Sequence, residues 1–498
     1  MKRPVSRQHF SLLAALLSAI AAVLPAAAPA HAGSDTYAPI TANPLDAWWQ
    51  PGSGAALSDF VQYRDPGGTL GVVNAAGWLN TEGHPFFEPL GANGRGCVSC
   101  HQLSQSMSLA AANVRYRWQV TKGQDPLFAA IDGSNCPTLP QAQEGSHSLL
   151  LDRGVIRVAL PWPRRGAGGK TVASQFTIAV VSDPAGCNSS NVYGPAAARP
   201  ALSVYRRPRV VGNFPNPSDS CARTDARAAI MADGRAGNLR DQAVDAGMTH
   251  LEMKTRPSDA QLQAIVAYEC QVYTAQSSDG PDVFAGPASA SNLGPENMRL
   301  AMQIATFLKK PGGDDAGFQR FYAGLSASEA GTQSTSRASI ARGEEIFSRR
   351  TFAITNAAGI NTGNRPITGT CATCHDLPMS GMSSVRWIDT GSTNQPWAVA
   401  APDLPLFKVT CNPDAPAHPF LGRVIYTQDP GRAMTSGKCA DVGAITVQQL
   451  RGLAARAPYF SNGSAKTLAD VVDFYDRRFS AHYTAREKQD LINFLRVL

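Results

Sequence analysis

Two five-residue motifs, Cys97-Val98-Ser99-Cys100-His101 and Cys371-Ala372-Thr373-Cys374-His375, constrain this 498-residue chain more than any other feature. On a helical turn, residues three and four apart share one face, so both thiols of a motif can reach one flat group. The histidine that follows then supplies a nitrogen to the centre of that group. C-x-x-C-H reads as covalent attachment of a c-type haem. A single copy could be a redox dithiol or half a zinc site. Two copies, each ending in His and with no further Cys or His at matched spacing, argue against both. Two covalently bound haems are therefore expected. Cys97, Cys100, Cys371 and Cys374 would be the attachment points, and His101 and His375 the proximal iron ligands.

The chain begins with Lys2, Arg3 and Arg7, followed by an apolar run from Phe10 to about Leu24 and then Ala30-His31-Ala32. That order is the basic region, apolar core and small-residue cleavage site of a secretory signal peptide over residues 1–32. Export to the periplasm is expected, and no later stretch is apolar enough to span a bilayer. Net charge is +7, falling to +4 once the three leading basic residues are removed. That is too mild to suggest a nucleic-acid partner. Outside the two motifs stand Cys136, Cys187, Cys221, Cys270, Cys411 and Cys439. An even remainder in an exported chain suggests disulfides. Pairing neighbours in sequence gives 136–187, 221–270 and 411–439, one of fifteen connectivities that six cysteines allow.

The expected fold is mainly α, with two cytochrome c-like haem domains, long loops and a small β insertion in the N-terminal one. Residues 33–96 are rich in Gly, Pro and aromatics and read as an irregular segment over the first haem. Ser148-Leu-Leu-Leu, Val155 to Leu160 and Phe176 to Val181 are short β-prone runs separated by turn signals. They suggest the insertion at about 146–182. The N-terminal haem domain would cover 33–274, a Ser/Gly/Ala/Pro-rich linker 275–295, and the C-terminal haem domain 296–498. Helical character returns at about 221–274, with patterns at 221–231 and 259–273, and further patterns fall at 296–309, 336–347, 466–478 and 484–497. Thr467 and Thr484 stand at N-cap positions, and Thr484 with Glu487 fits a capping box.

Two further stretches carry a family likeness. The first is Asp233-Gly234-Arg235 with Leu239 and Gln242, followed ten residues beyond Gln242 by Glu252-Met253. The second is Asp429-Pro430-Gly431-Arg432, Leu450-Arg451, Ala457-Pro458-Tyr459-Phe460-Ser461-Asn462-Gly463 and Thr467-Leu468. In order and spacing relative to both haem motifs, residues 200–274 and 336–498 resemble the bacterial di-haem cytochrome c peroxidase and MauG-like superfamily. The resemblance implies a C-terminal haem that stores or relays an electron and an N-terminal haem where peroxide meets iron. It places Gln242 and Glu252 in the distal pocket, where a carboxylate could move a proton between peroxide oxygens. Ten residues at about 100° each do not share a helical face, so the segment must bend between them, and Gly247 could allow it. His250, in the same stretch, could be a distal base or a sixth ligand. Opposite His375 the resemblance implies Tyr475, twelve residues after Gly463. Leu468, Val471, Val472 and Tyr475 would equally suit a buried helical stripe. Met379, Met382, Met434 and His482 are spare ligands. Asn213 roughly matches an asparagine that binds an interdomain calcium ion in relatives. The chain also departs from the pattern. The usual inter-haem Trp is Ala232, with Trp387 a substitute; the usual His is Ser461, and the usual Pro is Ala246.

Two functions follow as expectations. One is a peroxidase-like oxidoreductase using hydrogen peroxide, or an O2-using oxygenase of the rubber-oxygenase type. Its electrons would come from a small redox protein or an oxidisable substrate. The other is a non-enzymatic electron-transfer cytochrome with both irons six-coordinate, the first through His250 or Met107.

Overall fold

A computed structural model describes residues 47–164, 171–214, 230–280, 293–300, 332–375 and 387–498. The expected signal peptide therefore lies outside the described residues, as do Cys221, Met379 and Met382. The architecture is not mainly helical, which corrects the expected fold class. The described residues hold fourteen strands in six small sheets alongside the helices, and no clear cytochrome c-like domain stands out among them. Six helices run eleven residues or more: α1 (Ala111–Thr121), α2 (Leu239–Thr249), α3 (Asp259–Gln271), α4 (Thr332–Arg349), α5 (Leu468–Phe479) and α6 (Ala485–Arg496).

Much of the unexpected β structure pairs segments far apart in sequence. Phe60–Asp65 and Gly68–Asn74 form an antiparallel hairpin inside the segment read as irregular. Its second strand pairs with Val272–Ser278, about two hundred residues on, so the first residues of the expected linker form a fully buried strand. The expected β insertion is not a unit of its own. Ser148–Arg153 is a short helix, Ile156–Pro161 pairs with Ala201–Arg206, and Phe176–Ser182 pairs with Leu406–Cys411. Each strand completes its hydrogen bonding with a distant partner, and no local pattern reports that partner.

The helical signals in the C-terminal part hold closely. Thr467 caps α5 by accepting from the Asp470 amide at 3.1 Å. Thr484 and Glu487 form the capping box of α6, at 3.2 Å and 2.8 Å. Satisfying orphan amides this way stabilises each helix start by about 1 kcal/mol. α4 and α6 cross closely at Gly343, where a Cβ would stand 2.1 Å from the Asp490 carbonyl oxygen. Around that crossing Ile340, Phe347, Leu491 and Phe494 build one apolar core with Leu468 and Val472 of α5. A second core gathers Leu70, Val72, Phe86, Phe87, Leu262 and Tyr268 beneath the first C-x-x-C-H turn.

Cys136 is bonded to Cys187 and Cys411 to Cys439, with Cα separations of 5.2 Å and 5.6 Å. Cys270 is disulfide-bonded too. The four motif cysteines carry free thiols. The first bridge spans 51 residues, and closing a loop of that size constrains the unfolded chain by about 4 kcal/mol on chain entropy. Replacing Cys136 and Cys187 together by Ser is expected to lower the unfolding free energy in urea by about 2–4 kcal/mol. An unchanged midpoint would contradict this.

Candidate functional site

Both C-x-x-C-H motifs fold into the same single turn. Residues Cys97–Ser99 and Cys371–Thr373 are 3-10 helices, and each His amide reaches back to the carbonyl of the first Cys, at 3.1 Å and 3.0 Å. Each turn opens on a cavity of its own. The first is lined by Cys97, Cys100 and His101, with Gln242, Ala243 and His250 of α2 and its C-cap, and Ile265 and Glu269 of α3. The second is lined by Cys371, Cys374 and His375, with Phe347 of α4 and Leu468, Val471, Val472 and Tyr475 of α5. Counted as space open to the centre of a water molecule, each holds about 170 Å³. That is more than ten times what one water needs, roughly 10–15 Å³ on this measure. Each cavity therefore brings two thiols, an imidazole and a mostly apolar lining around space for a large flat group. That donor set fits a covalently held haem.

The electrostatics suit that fit. Burial pushes the Cys100 and Cys371 thiols up to about 12, so they are neutral thiols. Burial brings His101 down to about 4, against the opposing pull of the Met107 carbonyl 3.1 Å from Nδ1. A neutral imidazole with one nitrogen held by a carbonyl is the form that ligates a metal. Because the Met107 carbonyl is used here and its side chain packs into the second core, Met107 does not line the first cavity.

The expected distal residues separate. Gln242 lines the first cavity, and its Oε1 is buried with no hydrogen-bond partner. His250 lines it too, with Nδ1 2.6 Å from Asp132 Oδ2. Glu252 does not join them. It is exposed, its carboxylate accepts from Asn93 Nδ2 at 3.1 Å, and it is absent from the lining. α2 runs unbroken through Gly247, and the chain turns after it, with Glu252 at φ 52°. Gly247 serves instead as a close approach, since a Cβ would stand 2.9 Å from Met253 Sδ.

Tyr475 lines the second cavity, its hydroxyl pushed well up by burial and then by the neighbouring thiols. Of the spare ligands, Met434 packs in a different core and His482 is exposed. Among the described residues, the lining of the second cavity holds no methionine and no histidine other than His375. Asn213 is wholly buried, and its amide pairs with the Thr274 backbone, at 2.6 Å and 2.9 Å. Trp387 flanks the region between the cavities. Its strand pairs with Ile445–Thr446, and the Arg432 guanidinium lies 3.3 Å from its ring centre. Ala232 lines the first cavity.

Three groups escape sequence reading. Asp132 lies 118 residues from His250 and forms a buried ion pair with Arg95. Burial raises its carboxyl, but Arg95 and then His250 outweigh burial and hold it below the ordinary range. No local signal links these three. Glu269 is the third, buried on α3 with Oε2 unpartnered, and burial alone pushes it up to about 8.

No family model matches the chain, and no curated protein matches it. Among solved structures, the crystal structure of a MauG-like protein associated with microbial copper homeostasis is similar at a TM-score of 0.29. Sequence identity is 15%, covering 60% of this chain and 76% of that one. The likeness is distant, and at that superposition it carries no argument about the site.

Glu269 yields a direct test. Its ordinary value is 4.5, and burial pushes the folded carboxyl up to about 8. Unfolding therefore releases a proton between those values, and stability falls as pH rises through them. Glu269→Gln is expected to gain on the order of 3 kcal/mol over wild type at pH 7 and nothing near pH 4, read by urea denaturation. A gain equal at both pH values would contradict the assignment.

Proposed function

We propose that this chain is a periplasmic di-haem c-type oxidoreductase of the peroxidase type, with one haem in each cavity. Hydrogen peroxide would meet iron in the first cavity, and the second haem would relay or store electrons. One observation carries the reading: each C-x-x-C-H turn opens on its own cavity, and the first also presents Gln242 and a carboxylate-held His250.

Cys97, Cys100 and His101 would hold a haem in the first cavity, and such a group would supply the redox chemistry that reduces peroxide. The chain's own groups then handle protons and position. Asp132 accepts from Nδ1 of His250, which leaves Nε2 as the basic nitrogen. From there His250 can take the proton of one peroxide oxygen and return it to the other. Gln242 Oε1, with no protein partner, can accept a hydrogen bond from the peroxide and fix its orientation. Two electrons and two protons convert one peroxide into two waters. The electrons would come from a small redox protein or an oxidisable substrate. In the second cavity Tyr475 is the side chain proposed to ligate the bound group, and its hydroxyl would have to give up its proton to do so, as a phenolate that would favour ferric iron.

The same dyad also supports a second reading. An imidazole whose far nitrogen is anchored by a carboxylate makes a firm metal ligand, and His250 on the first iron would give an electron carrier.

EPR and absorbance spectra of the oxidised and half-reduced protein, before and after one equivalent of hydrogen peroxide, separate the two. A high-spin ferric signal bleached by peroxide is expected. Two low-spin haems in both states, unmoved by peroxide, would overturn the peroxidase reading and leave the carrier. In peroxide turnover, His250→Ala is expected to cost about 10²–10⁴-fold. Glu252→Gln should stay within a factor of about three, since its side chain touches no reacting atom. The reverse order would return the proton-transfer role to Glu252.

A further inference from the structure

The partition between the cavities gathers several arginines. It is built from Arg207-Pro208 and from Thr446 to Gln449, all of which line both cavities. Arg209 lines the first cavity alone and Arg456 the second alone. The neighbouring Arg206 is buried between two carboxylates, Asp233 at 2.8 Å and Asp429 at 2.6 Å. Arg207, Arg209 and Arg456 have no such answer.

Their donors go to neutral oxygens. Arg207 donates to the carbonyls of Arg153 at 3.1 Å, Arg456 at 2.7 Å, and Leu109. Arg209 donates to the carbonyls of Thr446 at 3.2 Å and Val447 at 2.9 Å, and to the Thr446 hydroxyl. Arg456 donates to the carbonyls of Arg451 at 3.3 Å and Gln449. Among the described residues, no carboxylate stands within 4 Å of any of the three, while Arg207 and Arg456 are each only 7% exposed. A guanidinium does not surrender its proton near neutral pH. Burying several positive charges together without anions costs several kcal/mol each. Burial and mutual repulsion strain the Arg207 charge most, pulling it down to about 9. The charges call for anions presented from both cavities.

We propose that Arg207, Arg209 and Arg456 bind the carboxylate side chains of the two porphyrins, so that both haems turn their acidic edges toward one shared partition. This rests on the reading of a haem in each cavity. Arg207 would serve both haems, Arg209 the first and Arg456 the second. A planar fork suits a carboxylate, and each group removed would leave its haem more negative and its ferric form favoured. The partition would then hold the haems edge to edge and raise both reduction potentials.

The test is spectroelectrochemical titration of the holoprotein, wild type against Arg207→Gln, Arg209→Gln and Arg456→Gln. Arg207→Gln is expected to lower both midpoints, each by tenfold or more in the one-electron equilibrium, or 59 mV. Arg209→Gln and Arg456→Gln should each lower one midpoint, and not the same one. Arg207→Lys keeps the charge and should hold both near wild type. Arg115→Gln, on an exposed arginine paired with Glu144 and Asp152, should move neither. If Arg207→Gln fails to mature, the two single-cavity variants decide. Two haems whose midpoints ignore all three variants, or shift together in every variant, overturn this proposal alone. A wild-type protein with fewer than two haems overturns the functional reading and this proposal with it.

Discussion

Arg206 holds the molecule together where its parts meet. Its guanidinium is buried between Asp233 and Asp429, carboxylates almost two hundred residues apart. Each of those aspartates also organises its own turn. Asp233 accepts from Arg235, and Asp429 accepts from the Gly431 amide at 2.8 Å. Burial works against the charges of Arg206 and Asp233, but the attraction of opposite charges outweighs it and leaves Arg206 raised and Asp233 depressed. Removing one partner from such a cluster typically costs about 3–5 kcal/mol, because the remaining charges stay buried. The Asp-Gly-Arg and Asp-Pro-Gly-Arg turns are thus tied to the strand Ala201–Arg206, whose end begins the partition between the cavities.

From that anchor the two sites take their positions. Arg207-Pro208 leaves the strand directly into the partition, and Thr446 to Gln449 enters it from the short strand paired with Trp387. The first cavity then lies under α2 and α3, and the second under α4 and α5. Both C-x-x-C-H turns are 3-10 turns of the same form, yet their surroundings differ. The first receives His250 and its Asp132 anchor, and the second receives Tyr475. The same turn, placed twice, is therefore met by different side chains.

What was legible in the sequence follows from the range over which each signal acts. Cysteine spacing, the Thr484–Glu487 capping box and the apolar stripe of α5 are contained within one or two helical turns, and all three stand in the structure. The hairpin at Phe60–Asn74 had a visible Asp65-Pro66-Gly67-Gly68 turn. Its strands were nonetheless obscured by a Gly- and Pro-rich setting and by a third strand that arrives from residue 272. In the site, Gln242 lies on α2 and His250 at its C-cap, whereas Asp132 and Arg95 reach His250 only through the tertiary fold. The Arg206-Arg207-Pro208-Arg209 run was in plain view, but only burial distinguishes a partition from a solvated basic patch.

The proposed function requires a covalently bound haem in each cavity. Intact-mass measurement of the protein purified from cells competent for c-type haem attachment tests this most directly, set beside a Cys97→Ala, Cys100→Ala variant. Wild type is expected at the mass of the chain from residue 33 plus two haems, and the variant lighter by one haem. A wild-type mass equal to the bare chain, or to the chain with a single haem, would contradict it.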